Sequence, residues 1–306
     1  MFSFKIFILE YYNYMKISKH ISKTYDEYIL ELVNNRIPII RKRTYLNKYF
    51  LEHFKLMLNN INNWQALSYL KTYPNGIKYH YKYIQQIYSK WVSYTIFKDA
   101  YTNMINDNYF KLKHIKKCKT LNLFIDCSYI VNKYGVESIT TNPEYRKKKV
   151  TKISAICDQF KNILSIIPIH TQSVISKYHN KQIKSFPHDI KSVQKTLSNI
   201  HLRIPKYVNV NIVGDKGYVT KELFLLNNKS VPIISPIKNN QKKKNNKRNK
   251  ILLSRRNVIE NSFSNIKKNE QIMIRKCKNI NEYMGFVYLG MLKDFNMRNI
   301  SIPRNG

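Results

Sequence analysis

Asp126, Asp215 and Glu260 fall in three separate segments, each able to present a carboxylate at the edge of a fold. Asp126 ends the apolar run LNLFID, and Asp215 follows VNVNIV inside Gly214-Asp215-Lys216-Gly217-Tyr218. Open α/β sheets offer ligands a place at the carboxyl ends of their strands, where both aspartates are expected. Gly214 and Gly217 permit tight turns that hold the second carboxylate at a strand edge. Taken singly, each Asp is an ordinary turn former; the pair suggests chemistry. Glu260 belongs to SRRNVIENSFSNIKK (254–268), which has a helical period with Ser254 as its expected N-cap. At about 100° per residue, Arg256, Glu260 and Lys267 share one stripe, and Ile259, Phe263 and Ile266 form the apolar stripe beside it that would dock on a sheet. An Arg256–Glu260 pair on a plain surface helix, worth only tenths of a kcal/mol, is the simpler reading of that stripe.

Carboxylates gathered from separate elements suit a pair of divalent ions. Two such ions about 3.5–4 Å apart activate an attacking oxygen and stabilise the leaving one in an in-line displacement at phosphorus. Mg²⁺ prefers carboxylate oxygens and keeps several waters, so three acidic side chains suffice. Arg256 and Lys267 would then grip phosphates and offset developing charge.

The elements needed to position these residues are visible in the patterning. From Tyr25 to Asn108 apolar residues such as Ile29, Leu30, Leu32 and Val33 recur at helical intervals. Asn60–Pro74 ends in the turn signal Pro74-Asn75-Gly76. A second helical run spans Tyr79 to Met104, with Ile84, Ile87, Tyr88, Trp91, Tyr94 and Ile96 on its apolar positions. Helix, turn and helix on a basic background fit a DNA reader, and equally a bundle that packs on the rest. After Thr120 the texture changes to short apolar runs: LNLFID (121–126), ILSIIPI (163–169), VNVNIV (208–213) and VPIISPI (231–237) read as strands. KELFLLNNK (221–229) reads as a helix between the last two, giving an α/β order. The run KNNQKKKNNKRNK, 238–250, has nothing to bury and reads as a solvated basic loop, and the tail after Asn299 reads as frayed.

Lys and Arg number 54 against 18 Asp and Glu, a net charge of +36 that repels itself unless a polyanion lies alongside. Nucleic acid fits best, since Lys and Arg contacts to phosphate release condensed counterions. An anionic membrane surface is the competing partner. Part of the lysine excess follows from AT-rich coding, as the abundance of Asn, Ile and Tyr indicates. Four cysteines without a CxxC pair argue against zinc and against a disulfide framework. FSFKIFIL near the start is too short to span a bilayer and lacks the layout of a secretory signal, so an intracellular protein is expected.

The segments around the three acids resemble those of DDE insertion-sequence transposases with a ribonuclease-H-like core. Leu123-Phe124-Ile125-Asp126-Cys127-Ser128 resembles the family's first-Asp strand, and Gly214-Asp215-Lys216-Gly217-Tyr218 is similar to its D-x-G-Y block. The third block is the most specific: the family's Tyr, Arg, Glu, Lys pattern maps onto Arg256, Glu260 and Lys267 at the right intervals. Leu253 stands where that pattern has Tyr, and leucine cannot stack on a displaced base as an aromatic ring does. Weaker matches are Tyr145-Arg146-Lys147-Lys148-Lys149 with Lys152 to Asp158, the Phe186-Pro187-His188-Asp189 element, and a helical region from Trp64 to Met104.

The resemblance implies an α/β fold with a ribonuclease-H-like mixed sheet flanked by helices, preceded by an all-α N-terminal domain. Residues 1–118 would form the helical, DNA-binding part, 119–300 the catalytic domain with its basic loop at 238–250, and 301–306 a tail. It implies Asp126, Asp215 and Glu260 as catalytic and metal-binding residues for two Mg²⁺ ions, with Mn²⁺ able to substitute. Arg256, Lys267, Lys216, Lys242, Lys243 and Lys244 would bind DNA phosphates. The partners implied are double-stranded DNA, both transposon ends and target, and a second copy of the chain on paired ends, with no membrane. Two alternatives stand beside this reading: a basic DNA-binding protein without catalysis, and a structure-specific nuclease on the same fold.

Overall fold

The computed structural model describes residues 23–38, 46–60, 63–69, 80–112, 115, 118–142, 148–175, 182–237 and 246–300. The N-terminal stretch before residue 23, the Pro74-Asn75-Gly76 turn, Tyr145 to Lys147, the basic run 238–245 with Lys242, Lys243 and Lys244, and the tail after 300 lie outside the described residues.

Helix α1 (Tyr25–Arg36) opens on a capping box: the Thr24 hydroxyl accepts from the Glu27 N–H, and the Glu27 carboxylate accepts from the Thr24 N–H. Its Tyr28, Ile29, Leu32 and Val33 stripe is buried. Helix α2 (Asn47–Asn60) and a 3₁₀ turn (Trp64–Tyr69) follow. The helical run expected from Tyr79 to Met104 is two helices, α3 (Tyr81–Ser93) and α4 (Ile96–Asn108). Thr95 breaks it, in the left-handed region at φ 56°, an uncommon setting for a β-branched residue. Two things hold Thr95 there. Its hydroxyl donates to Asp99 Oδ2 at 2.6 Å, and the break lets Trp91 and Phe97 both reach the core.

A mixed sheet follows. Strands β1 (Thr120–Asn132), β3 (Lys148–Asp158) and β4 (Ile163–Ile169) form an antiparallel meander, with short β2 (Thr140–Asn142) on the far end of β3. A two-stranded ribbon, β5 (Gln172–Ile175) with β6 (Gln182–Ser185), precedes a 3₁₀ turn (Asp189–Ser192) and helix α5 (Val193–Ser198). Strand β7 (Asn209–Val213) then pairs parallel to β1. After it come β8 (Leu223–Leu226) and β9 (Lys229–Ile234), and β9 runs parallel to β7. Three antiparallel strands followed by parallel ones on the opposite side of β1, with helices on both faces, make the ribonuclease-H-like arrangement.

The helix expected over 221–229 is instead β8 and the start of β9, joined as a hairpin. Asn227 and Asn228 both take positive φ, 51° and 62°, which suits the two-residue turn whose twist matches paired strands. Exposure alternates with a period of two: Leu223 and Leu225 point to solvent while Phe224 and Leu226 are buried. The basic stretch expected as loop up to residue 250 is helical from 247. Helix α6 (Lys247–Ser254) is capped by Asn246, whose side chain accepts from the Asn249 N–H at 2.8 Å. Ser254 therefore ends a helix instead of capping the next one, α7 (Asn257–Ile266), and its hydroxyl donates back to Ile251 O at 2.8 Å.

Helix α8 (Glu270–Met273), β10 (Ile274–Arg275) and α9 (Ile280–Ile300) complete the chain. Helix α9 is the spine of the molecule. It is buried nearly all round, through Tyr283, Phe286, Val287, Leu289, Leu292 and Phe295, as a helix with no polar face must be. Phe286 stacks on Tyr88 of α3 with ring centroids 4.5 Å apart, and Tyr288 on the same helix reaches Ile166 O of β4. Bundle and sheet thus share one continuous core. No helix among the described residues is long and apolar enough to cross a membrane.

Candidate active site

The parallel pairing of β1 with β7 brings the two aspartates within electrostatic reach of each other. Phe124 pairs with Val213; Asp126 lies two residues further within β1, and Asp215 two residues past that pair, in the turn that follows β7. Asp126 is not at the end of its strand, as expected, but in the middle: β1 runs on to Asn132 along β3. The ladder to β7 stops at Phe124, so it is β7 that ends, and the carboxylates emerge where that neighbour gives out.

Local hydrogen bonds orient both groups. Asp126 Oδ1 accepts from the Cys127 N–H at 2.8 Å, and Asp215 Oδ1 accepts from the Gly217 N–H at 2.7 Å. Burial pushes the Asp126 carboxyl up to about 6, opposed by the Cys127 N–H; the charge of Asp215 adds to the rise and that of Arg256 offsets it. The glycines beside Asp215 serve close approach. A Cβ on Gly214 would come 2.8 Å from Tyr218 Cβ, and one on Gly217 would come 3.0 Å from Asp215 Oδ1. Tyr218 itself is buried beneath the aspartates, its hydroxyl donating to Cys127 Sγ at 3.4 Å. It is therefore no substitute for the aromatic missing at Leu253, which is half-buried against the core.

Helix α7 crosses the same face. Ile259, Phe263 and Ile266 are buried as the apolar stripe requires, and the helix packs on β1 and β3. Arg256 and Lys267 flank it at its two ends. Glu260 is 57% exposed at its side chain and pairs with Arg256 at 3.6 Å, the ordinary i,i+4 geometry. Lys267 Nζ is turned inward and donates to Ser128 Oγ at 2.6 Å and to Tyr129 O at 3.2 Å; burial lowers its pKa. Lys216 is exposed in the turn after Asp215. The charges of Asp215 and Arg256 thus both act on Asp126, and Glu260 is paired with Arg256. Among the described residues no three His, Cys, Asp or Glu side chains are close enough to hold a metal ion together.

A second ion pair lies on the other face of β1. Lys152 of β3 makes a close ion pair with Asp189, and its ammonium sits 5.3 Å from the centre of the Tyr129 ring. Asp189 also raises the Asp126 carboxyl, as the smallest of its named influences. Sequence reasoning quoted His188 and Asp189 only as a weak match and gave Lys152 no role. The available signal was a lysine just before the mostly apolar run Ile153 to Cys157, where burial demands a partner.

Residues 188–280 match the family described as the transposase DDE domain. That segment holds Asp189, Asp215, Arg256, Glu260 and Lys267, with Asp126 upstream of it. No curated protein matches the chain. Among solved structures, the cryo-EM structure of the piggyBac transposase synaptic complex with hairpin DNA is similar at a TM-score of 0.44 and 11% sequence identity, over 91% of this chain and 74% of that one.

Proposed function

We propose, from the match of residues 188–280 to the transposase DDE domain family, that this chain cuts DNA at the ends of a mobile element and joins the freed ends to a target. The observation that supports the reading is the β1–β7 ladder, which ends two residues before each aspartate, with the charge of Asp215 acting on Asp126 and the helix that bears Glu260 packed on β1. Arg256 and Lys216 would meet phosphates, and Lys267, anchored on Ser128, would fix β1 to the end of α7. Double-stranded DNA is the partner, and two copies of the chain would hold paired ends.

The donor set fits divalent cations. Two hard oxygen ligands lie within electrostatic reach of each other, and burial, with the charge of Asp215 adding to it, raises the Asp126 carboxyl, a cost that a bound cation would offset. Each has one oxygen tied to a backbone N–H, and the other has no hydrogen-bond partner among the described residues. Asp126 and Asp215 would hold the ions, Mg²⁺ or Mn²⁺, and Glu260 would join them on leaving Arg256. Bound there, the ions supply charge neutralisation at phosphorus and an activated water. Water cuts the phosphodiester to leave a 3′-hydroxyl, and that hydroxyl then attacks a target phosphate in the same site. No covalent link between protein and DNA is required.

Incubating the purified chain with duplex DNA carrying the inverted repeats that flank its gene, in Mg²⁺, tests this. Asp126→Ala or Asp215→Ala should abolish nicking, a loss of about a thousandfold or more, while DNA affinity stays within about threefold. Cleavage retained in both variants, or binding lost together with cleavage, would overturn the assignment.

A further inference from the structure

Helix α6 presents a cationic surface with an apolar centre. At about 100° per residue, Lys247, Arg248, Lys250, Ile251, Ser254 and Arg255 occupy one side of it, and all six are exposed. Leu252 is buried and Leu253 half-buried on the opposite side, which anchors the helix to the core. Ile251 sits in the middle of the exposed side at 49% exposure, with Lys247 one turn before it and Arg255 one turn after. Only Arg255 and Arg256 separate this helix from α7, and the charge of Arg256 reaches Asp126. A phosphate chain lying near Asp126 would therefore run on past α6.

Cations around a single exposed branched aliphatic side chain suit duplex DNA. The cations hold phosphates, and an apolar wedge such as isoleucine can enter a base step and partly unstack it. We propose that α6 seats the duplex next to the cut, with Lys247, Arg248 and Lys250 on phosphates and Ile251 as a wedge that opens the adjoining base step. This rests on the reading of the chain as a DNA-cutting enzyme. It also assigns the unstacking role to residue 251, since Leu253 faces the core.

The test uses the full chain and a short duplex in which the fluorescent analogue 2-aminopurine replaces several adenines, without divalent ions so that no strand is cut. Binding should brighten the analogue as bases unstack. Replacing Lys247, Arg248 and Lys250 by Gln should lower the slope of log affinity against log salt by about 3. The same change at Lys195, Arg203 and Lys206, exposed elsewhere on the molecule, should leave the slope nearly unchanged. Ile251→Ala should remove the brightening at an unchanged slope, and Ile251→Leu should keep it. Equal slopes in the two triple variants, or brightening that survives Ile251→Ala, would overturn the proposal alone. If the unsubstituted chain binds no duplex, the reading beneath it fails as well.

Discussion

Asp126 illustrates how much a residue depends on its neighbours. Its carboxyl rises to about 6 because burial, with the charge of Asp215, penalises the ionised form. In the unfolded chain the same group loses its proton near the ordinary value of 3.8. As pH climbs from about 4 to about 6 the unfolded state releases a proton that the folded state keeps, so this group's contribution to stability falls across that window and is fully present only below it. Asp126→Asn should therefore leave stability unchanged near pH 4 and raise it above pH 6, by on the order of 3 kcal/mol. Urea melts at the two pH values would check this, and equal effects at both would refute it. Gly214 tests the same corner sterically. Gly214→Ala brings a methyl to 2.8 Å from Tyr218 Cβ, and should cost about 1–3 kcal/mol in the same melts through overpacking.

Among the elements, β10 does more than its two residues suggest. Arg275 is fully buried, and its guanidinium donates to Glu137 O at 2.7 Å, Thr151 Oγ1 at 2.9 Å, Lys278 O at 2.8 Å and Cys277 O at 3.2 Å. Four acceptors from three stretches of chain converge on one side chain, tying the β1–β2 connection and β3 to the segment leading into α9. Arg275→Met should cost about 3 kcal/mol or more, because it leaves those buried acceptors without a donor. A chemical denaturation midpoint unmoved by the change would refute this. The β8–β9 hairpin shows the limit of patterning at this scale. LFLL has high helix propensity and few polar residues, so its period is ambiguous by sequence. Pairing with β9 and the two left-handed asparagines decide the outcome.

For the whole molecule, the continuity of the core means that bundle and sheet should unfold together. Trp64 and Trp91 both lie in the helical part, so tryptophan fluorescence reports on the bundle while far-ultraviolet circular dichroism reports on the whole chain. The two transitions should coincide. Phe286→Ala should shift both by about 3–5 kcal/mol, because its buried ring stacks on Tyr88 inside a core that the two parts share. Separate transitions, or a shift in one alone, would show two independent units. The sequence by itself determined the strand around Asp126, the GDKGY turn, the apolar stripe of α7 and the cationic excess, since local period, turn chemistry and charge are properties of the chain. What only the tertiary structure decided depends on distant partners. The β1–β7 pairing brings Asp215 within electrostatic reach of Asp126, and Asp189 lies with Lys152. Strand register and ion-pair choice follow from which surfaces meet, and no local pattern encodes that.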